Sequence, residues 1–310
     1  MTRTTPPMSR DTAPGLVIAN LGHRIEVEDS RGDLHHCVPR RALGPVVCGD
    51  GVVWRQEAHG GCIITEVSDR RTLLGRPDRR GKLKPFCANI DQLVVVSALR
   101  PDREATRFID NTPMIDSYLA AAALLGLEAT LALNKIDLAT PEVQSAIESV
   151  TARYRRVGYR VVLTSAKDGI GIEELQRALQ QKTSVVVGES GVGKSSLIDV
   201  LLPEQELNVG RLSENSGLGR HTTSVTTLFH LPHGGDIIDS PGVREFRLWR
   251  VAPDQLARGF IEFDAYLGRC RYRDCRHDGD AGCAVAAAVD EGTIDAQRLA
   301  NYRRLLEGCT

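Results

Sequence analysis

Ser184-Val185-Val186-Val187-Gly188-Glu189-Ser190-Gly191-Val192-Gly193-Lys194-Ser195-Ser196 is the stretch that decides the fold. A short apolar β-branched run enters GxxxxGK[ST], and a helical pattern follows to Leu202. That is the strand–loop–helix context a phosphate-binding loop requires. Glycines let backbone N–H groups turn inward around phosphate oxygens, and the helix start adds the positive end of its dipole. The run Gly188 to Ser196 therefore reads as a nucleotide cradle. Lys194 is placed to reach the β- and γ-phosphates, and the Ser195 hydroxyl to ligate Mg²⁺.

Working outward, two further motifs lie upstream. Asn134-Lys135-Ile136-Asp137 follows the apolar Leu131-Ala132-Leu133, and Ser165-Ala166-Lys167 follows Leu163-Thr164. Guanine presents N1–H and N2–H donors side by side, which a carboxylate accepts as a pair, so Asp137 would read guanine and reject adenine. Asn134 would tie the base loop to the phosphate loop, and the stem of Lys135 would cover the base. The Ala166 N–H would donate to the guanine carbonyl.

Downstream, Asp236-Ile237-Ile238-Asp239-Ser240-Pro241-Gly242 is a strand ending in DxPG. Asp239 would hold Mg²⁺ through water, and the Gly242 N–H would meet the γ-phosphate. Between these lies Ser216-Gly217-Leu218-Gly219-Arg220-His221-Thr222-Thr223, whose glycines predict a mobile switch. Thr223 is favoured over Thr222 as its Mg²⁺ ligand. In an ordinary GTPase the phosphate loop and switches precede NKxD and SAK; here NKxD and SAK come first. The order predicts a circularly permuted GTPase core, with its new termini at the surface.

The rest of the chain divides around this core. Residues 1–14 carry no periodicity and read as a disordered tail. From 15 to 75, five short apolar segments at about ten-residue spacing read as a small β-barrel. Residues 76–84 read as a basic linker, within a basic stretch Asp69–Lys84, and 85–244 as the permuted α/β P-loop domain. In that domain, strands are expected near 92–98, 130–133, 161–164, 184–187, 225–231 and 236–238. Helices are expected at 113–125, 141–157, 172–182 and 194–202. Thr140 is expected to cap the second of these, with Pro141 in its first turn. The hairpin 226–238 is expected at a sheet edge. Residues 245–310 read as a mainly helical, zinc-binding domain.

With 310 residues there is room for two or three domains. The net charge of −1 leaves any nucleic-acid affinity to local patches. No apolar run reaches the roughly 18 residues that span a membrane. The start of the chain lacks a signal-peptide pattern, so a cytoplasmic location is expected. Eight cysteines are too few for a disulfide scaffold at this length. Cys37, Cys48, Cys62, Cys87 and Cys309 read as plain buried thiols.

The permuted order, together with GESGVGKSS, GLGRHTT and DSPG, resembles the bacterial ribosome small-subunit-dependent GTPases (RsgA, or YjeQ). The resemblance runs over nearly the whole chain, with Ser224 departing from a commonly found third threonine. It implies an OB-fold first domain, a zinc-binding last domain and a role in late maturation of the 30S subunit. The implied partners are that subunit with its 16S rRNA, and GTP or GDP; a monomer is expected. Cys270, Cys275, His277 and Cys283 form C-x4-C-x-H-x5-C, three thiolates and an imidazole that make a closed tetrahedral zinc set. These positions correspond to the family's ligands, so one structural Zn²⁺ is expected. Arg269, Arg271, Arg273 and Arg276 with Tyr272 suit RNA contact, alongside the barrel and Arg70–Lys84.

Val243 stands where many GTPases carry the glutamine that orients the attacking water. His221 is the best replacement in the chain, since an imidazole orients water or accepts a proton near neutral pH. Lys194, Thr223 and His221 are thus the expected catalytic set. An ATP-using P-loop enzyme is the first alternative, against which Asp137 argues. The second is a non-hydrolysing RNA scaffold, against which Lys194, Ser195 and Asp239 argue.

Overall fold

The computed structural model describes residues 12–22, 24–57, 61–77, 83–99, 112–202, 225–239 and 251–308. Strand β1 (Thr12–Asn20) comes first among the described residues, so residues 12–14, expected in a disordered tail, are ordered in a sheet, while residues 1–11 of that tail lie outside the described residues. It is followed by β2 (Ile25–Glu28), β3 (Leu34–Pro39), β4 (Gly51–Gln56) and β5 (Cys62–Val67). Alternation of apolar and polar residues turns Val17, Ile25, Val27, Val52, Trp54 and Ile64 into one core. The first half of β1 pairs with β4 and the second half with β2, which closes the five strands in the order β1-β2-β3-β5-β4. A bulge between Val17 and Ala19 lets the long β1 bend between its two partners.

The described ends of the stretch expected to be a linker, residues 76–77 and 83–84, lie in strands, and residues 78–82 lie outside the described residues. Strand β6 (Leu73–Pro77) pairs antiparallel with β7 (Leu83–Ala88). Its basic residues obscured the underlying strand pattern. Arg70 and Arg71, read as part of an RNA-facing stretch, instead pair with carboxylates of this chain. Arg70 donates from Nε and Nη2 to the buried Asp50 at 2.6 and 2.7 Å, and Arg71 donates to Asp91 at 2.6 Å. Arg79, Arg80 and Lys82 lie outside the described residues.

The central sheet contains β8 (Gln92–Ala98), β9 (Glu128–Asn134), β10 (Arg160–Leu163), β11 (Thr183–Val187), β12 (Thr227–His230) and β13 (Asp236–Asp239). Its order is β10-β9-β8-β11-β13-β12, parallel except for β12. Both faces are covered, which explains why β8 is buried along its full length. Leu93 and Val95 face one core with Leu119 and Leu131; Val94 and Val96 face the other with Leu175 and Ile198. The helices are α1 (Thr112–Leu124), α2 (Pro141–Val157), α3 (Ile172–Leu179) and α4 (Lys194–Leu201). Thr140 takes the cap position of α2 with extended backbone, but its side chain bonds no helix amide.

The β12–β13 hairpin is present, but its outer strand is not a free edge. Ala19 of β1 pairs with Thr227 of β12, so barrel and core share one eleven-stranded sheet. Cys37 and Cys62 adjoin across the β3–β5 pairing with Cα atoms 4.5 Å apart, and Cys48 and Cys87 are buried free thiols.

The last part is helical: α5 (Pro253–Arg258), a 3-10 turn at Ile261–Phe263, α6 (Ala284–Asp290) and α7 (Ala296–Glu307). Phe260, Phe263, Leu299 and Tyr302 form its core, and Ala120 of α1 belongs to the same cluster. Gly259 permits this, since a Cβ there would lie 2.8 Å from the Ala120 methyl. No helix among the described residues is long and apolar enough to cross a membrane.

Candidate functional site

The predicted nucleotide residues meet at the C-terminal edge of the parallel strands, where ligands bind in open α/β sheets. Gly188 leaves β11 with φ 145°, and a Cβ on it would strike the Val96 carbonyl at 2.2 Å. Gly193 has φ 91°, and a Cβ there would lie 2.4 Å from Asn134 Nδ2. Only glycine fits either place, because the phosphate loop is pressed against β8 on one side and the base loop on the other.

That second contact is a joint. Asn134 donates from Nδ2 to the Val192 carbonyl at 2.9 Å, and Lys135 Nζ donates to the Gly191 carbonyl at 2.7 Å. Lys135 adopts the left-handed conformation, φ 61°, which directs its side chain back over the loop. Asp137 accepts from the Ser165 hydroxyl at 2.7 Å, which fixes the carboxylate on the half-buried floor of the base loop. The Ala166 amide donates a long 3.3 Å bond to Asn134 Oδ1 rather than projecting alone toward a base. Lys194 Nζ reaches back over its own loop to the carbonyls of Gly188 and Glu189, at 2.9 and 2.7 Å. Ser190, Ser195, Ser196 and Lys167 are exposed around this rim, and Asp239 ends β13 beside it. His221, Thr223 and Gly242 lie outside the described residues.

The four residues of the Cys/His segment also come together. Their ligand atoms all lie within 4.8 Å of one another and could hold a metal ion. The sulfurs of Cys270, Cys275 and Cys283 are 3.5, 3.6 and 3.4 Å from His277 Nδ1. A tetrahedral ion with bonds of about 2.3 Å to sulfur and about 2.0 Å to nitrogen has a sulfur–nitrogen edge of about 3.5 Å, so the donor set fits. Each sulfur also accepts a backbone amide: Cys275 from His277, Cys270 from Ala284 and Cys283 from Ala286, at 3.3–3.4 Å. Such bonds stabilise thiolates. His277 has φ 60°, and its ring packs against Phe263 and Tyr302. Around the cluster Arg269, Arg271, Arg273 and Arg276 are exposed, and Arg271 lies 5.5 Å over the ring of exposed Tyr272.

The RsgA GTPase family model matches residues 67–249. The chain belongs to the RsgA GTPase family. It is a GTP hydrolase with a circularly permuted core, and GTPase chemistry of this family implies Mg²⁺. It is 46% identical over 299 residues to the small ribosomal subunit biogenesis GTPase RsgA of Sodalis glossinidius, covering 94% of this chain and 85% of that one. It is 48% identical over 300 residues to the RsgA of Chromohalobacter salexigens, covering 96% and 86%. The crystal structure of YjeQ from Thermotoga maritima superposes with a TM-score of 0.77 at 30% identity, over 96% of this chain and 98% of that one. The circularly permuted GTPase YloQ gives 0.74 at 25% identity, over 97% and 96%.

Sequence reasoning missed a polar cluster that joins this RsgA-type core to its helical C-terminal part. Arg298 of α7 is fully buried between Glu262 and Asp116. Asn301 and Tyr154 complete the shell of Asp116 at 2.6 and 2.7 Å. Burial raises the Asp116 pKa, against the Arg298 charge, which lowers it. Nothing in the polar texture of α7 marks Arg298 as buried, because its partners are 36 and 182 residues away in sequence.

Proposed function

We propose that this protein hydrolyses GTP on the small ribosomal subunit late in its maturation, with the subunit stimulating hydrolysis and hydrolysis driving release. The observation that carries the reading is the Asn134–Val192 bond. It welds a guanine-type loop to a phosphate loop in a chain 46% identical, over nearly its whole length, to a named subunit-biogenesis GTPase.

In this reading Asp137, braced by Ser165, accepts the two guanine donors, and Lys135 covers the base. Ala166 turns its amide from Asn134 to the guanine carbonyl. The loop Gly188–Ser196 wraps the phosphates with its amides, and Lys194 leaves its two carbonyls for the β- and γ-oxygens. Bound Mg²⁺ would supply positive charge that offsets the charge developing on the phosphate. Ser195, Thr223 and Asp239 would hold it, and Gly242 would meet the γ-phosphate. His221 would orient the attacking water, replacing the glutamine absent at Val243.

The Cys/His cluster would hold one structural zinc, since all four tetrahedral positions are filled by protein. The exposed arginines around it, the barrel and the basic residues Arg79, Arg80, Lys82 and Lys84 would face 16S rRNA, with affinity falling as salt rises. The protein would act as a cytoplasmic monomer. The test is GTP hydrolysis by the purified protein alone, with 30S subunits and with 50S subunits. Stimulation by 30S alone supports the proposal; equal rates in all three overturn it.

A further inference from the structure

The barrel grips the β12–β13 hairpin at both ends. At one end the grip is main-chain: Ala19 pairs with Thr227, and Thr227 pairs in turn with Asp239. A single cross-strand row thus runs from the barrel to the carboxylate read as a magnesium ligand. At the other end the grip is ionic. His230 pairs with Asp236 in the hairpin register. Its Nδ1 lies 2.7 Å from Asp236, and its Nε2 lies 2.7 Å from Glu28 of the barrel strand β2. An imidazole bonds two carboxylates in this way only when both nitrogens carry protons.

The charged groups facing the ring are Glu28 from β2 and Asp236 from β13. Behind Asp236 stand the Thr183 hydroxyl, at 3.3 Å, and a groove lined by Asp69 and Arg71. The β1–β12 contact rests on one register pair. A junction that short has little to hold its register against slippage, so a second tie decides where the strands sit.

We propose that His230 is a positioning residue for the GTPase site, latching the barrel to β12–β13 so that displacement of the barrel reaches Asp239 along the Ala19–Thr227–Asp239 row. The inference rests on the reading of Asp239 as a magnesium-side ligand. The coupling is carried by contiguous strand pairing and not by the covalent linker. A partner that pulls on the barrel would thereby reset the affinity of the site for Mg²⁺ and nucleotide.

The test uses the full-length, metal-loaded protein and the variants His230→Gln and Glu28→Gln. Hydrogen exchange at pH 7 reads the junction, and the Mg²⁺ concentration for half-maximal GTP hydrolysis reads the site. Both variants should speed exchange at residues 17–20 and 227–230 at least tenfold and raise the Mg²⁺ requirement at least threefold. The double variant should be no worse than either single one. Asp239→Asn checks the magnesium reading separately. If it raises the Mg²⁺ requirement while both latch variants keep wild-type exchange or a wild-type requirement, the latch is overturned and the magnesium reading stands. If Asp239→Asn leaves the requirement unchanged, the magnesium reading falls and the proposed output falls with it.

Discussion

Arg298 on α7 donates to Asp116 on α1, 182 residues away, with both side chains sealed from water. The guanidinium also takes Glu262 through Nε and Nη2 at 2.6 and 3.0 Å, and stacks 4.5 Å from the Phe260 ring. Removing one member of a buried ionic cluster leaves the others charged without compensation. Arg298→Met should therefore cost about 3–5 kcal/mol in urea unfolding. Adding Asp116→Asn should recover part of that loss, because the two sites share one network. A loss below about 1 kcal/mol would assign the cluster a negligible role.

Asp137 should carry guanine selectivity. Asp137→Asn exchanges a charge-assisted pair for a neutral and partly mismatched one, costing about 2–3 kcal/mol of GTP affinity. Fluorescent-nucleotide titration measures it, and wild-type affinity would remove Asp137 from the base site.

His221→Ala should retain GTP binding but lose at least about tenfold in 30S-stimulated hydrolysis, a barrier change of about 1.4 kcal/mol. Unchanged stimulated turnover would place the water-orienting group elsewhere in the chain or on the ribosome.

Metal analysis of freshly purified protein should give about one zinc per chain. A strong chelator should destabilise residues 251–308 before the GTPase core, since all four metal-site residues lie within that part. Protease digestion with and without chelator reads the order of loss; simultaneous loss of both parts would refute a purely local role.

Asp236 first, and Glu28 after it, raise the His230 pKa to about 9 against the opposing effect of burial. A folded-state value above the unfolded 6.5 means that the stabilisation is complete below about pH 6.5. It then declines as pH rises and is gone above about 9. The ring is half-exposed, so the contribution is on the order of 1 kcal/mol after solvent screening. Thermal unfolding from about pH 6 to about pH 10 should show a fall in wild type that His230→Gln lacks. Parallel curves for the two proteins would contradict it.

The local signals were legible in the sequence where one stretch contains its own reason. The clearest case is Gly188–Ser195: the glycine spacing between an apolar run and a helical pattern marks the strand–loop–helix turn that the structure contains, and the structure adds why Gly188 and Gly193 admit no side chain. The same holds for the loop Asn134–Asp137, for the α2 boundaries Pro141–Val157, and for the Cys/His spacing that brings together four residues that could hold a metal ion.

Tertiary structure alone decided the junctions. That β1 adds to β12, that Cys37 adjoins Cys62, that Arg70 serves Asp50, and that Arg298 is buried against Asp116 all depend on partners far away in the chain. A charged residue has the same local signature whether solvated or buried. Its fate is set by which distant carboxylate the fold delivers to it, and periodicity and spacing within a segment hold no record of that.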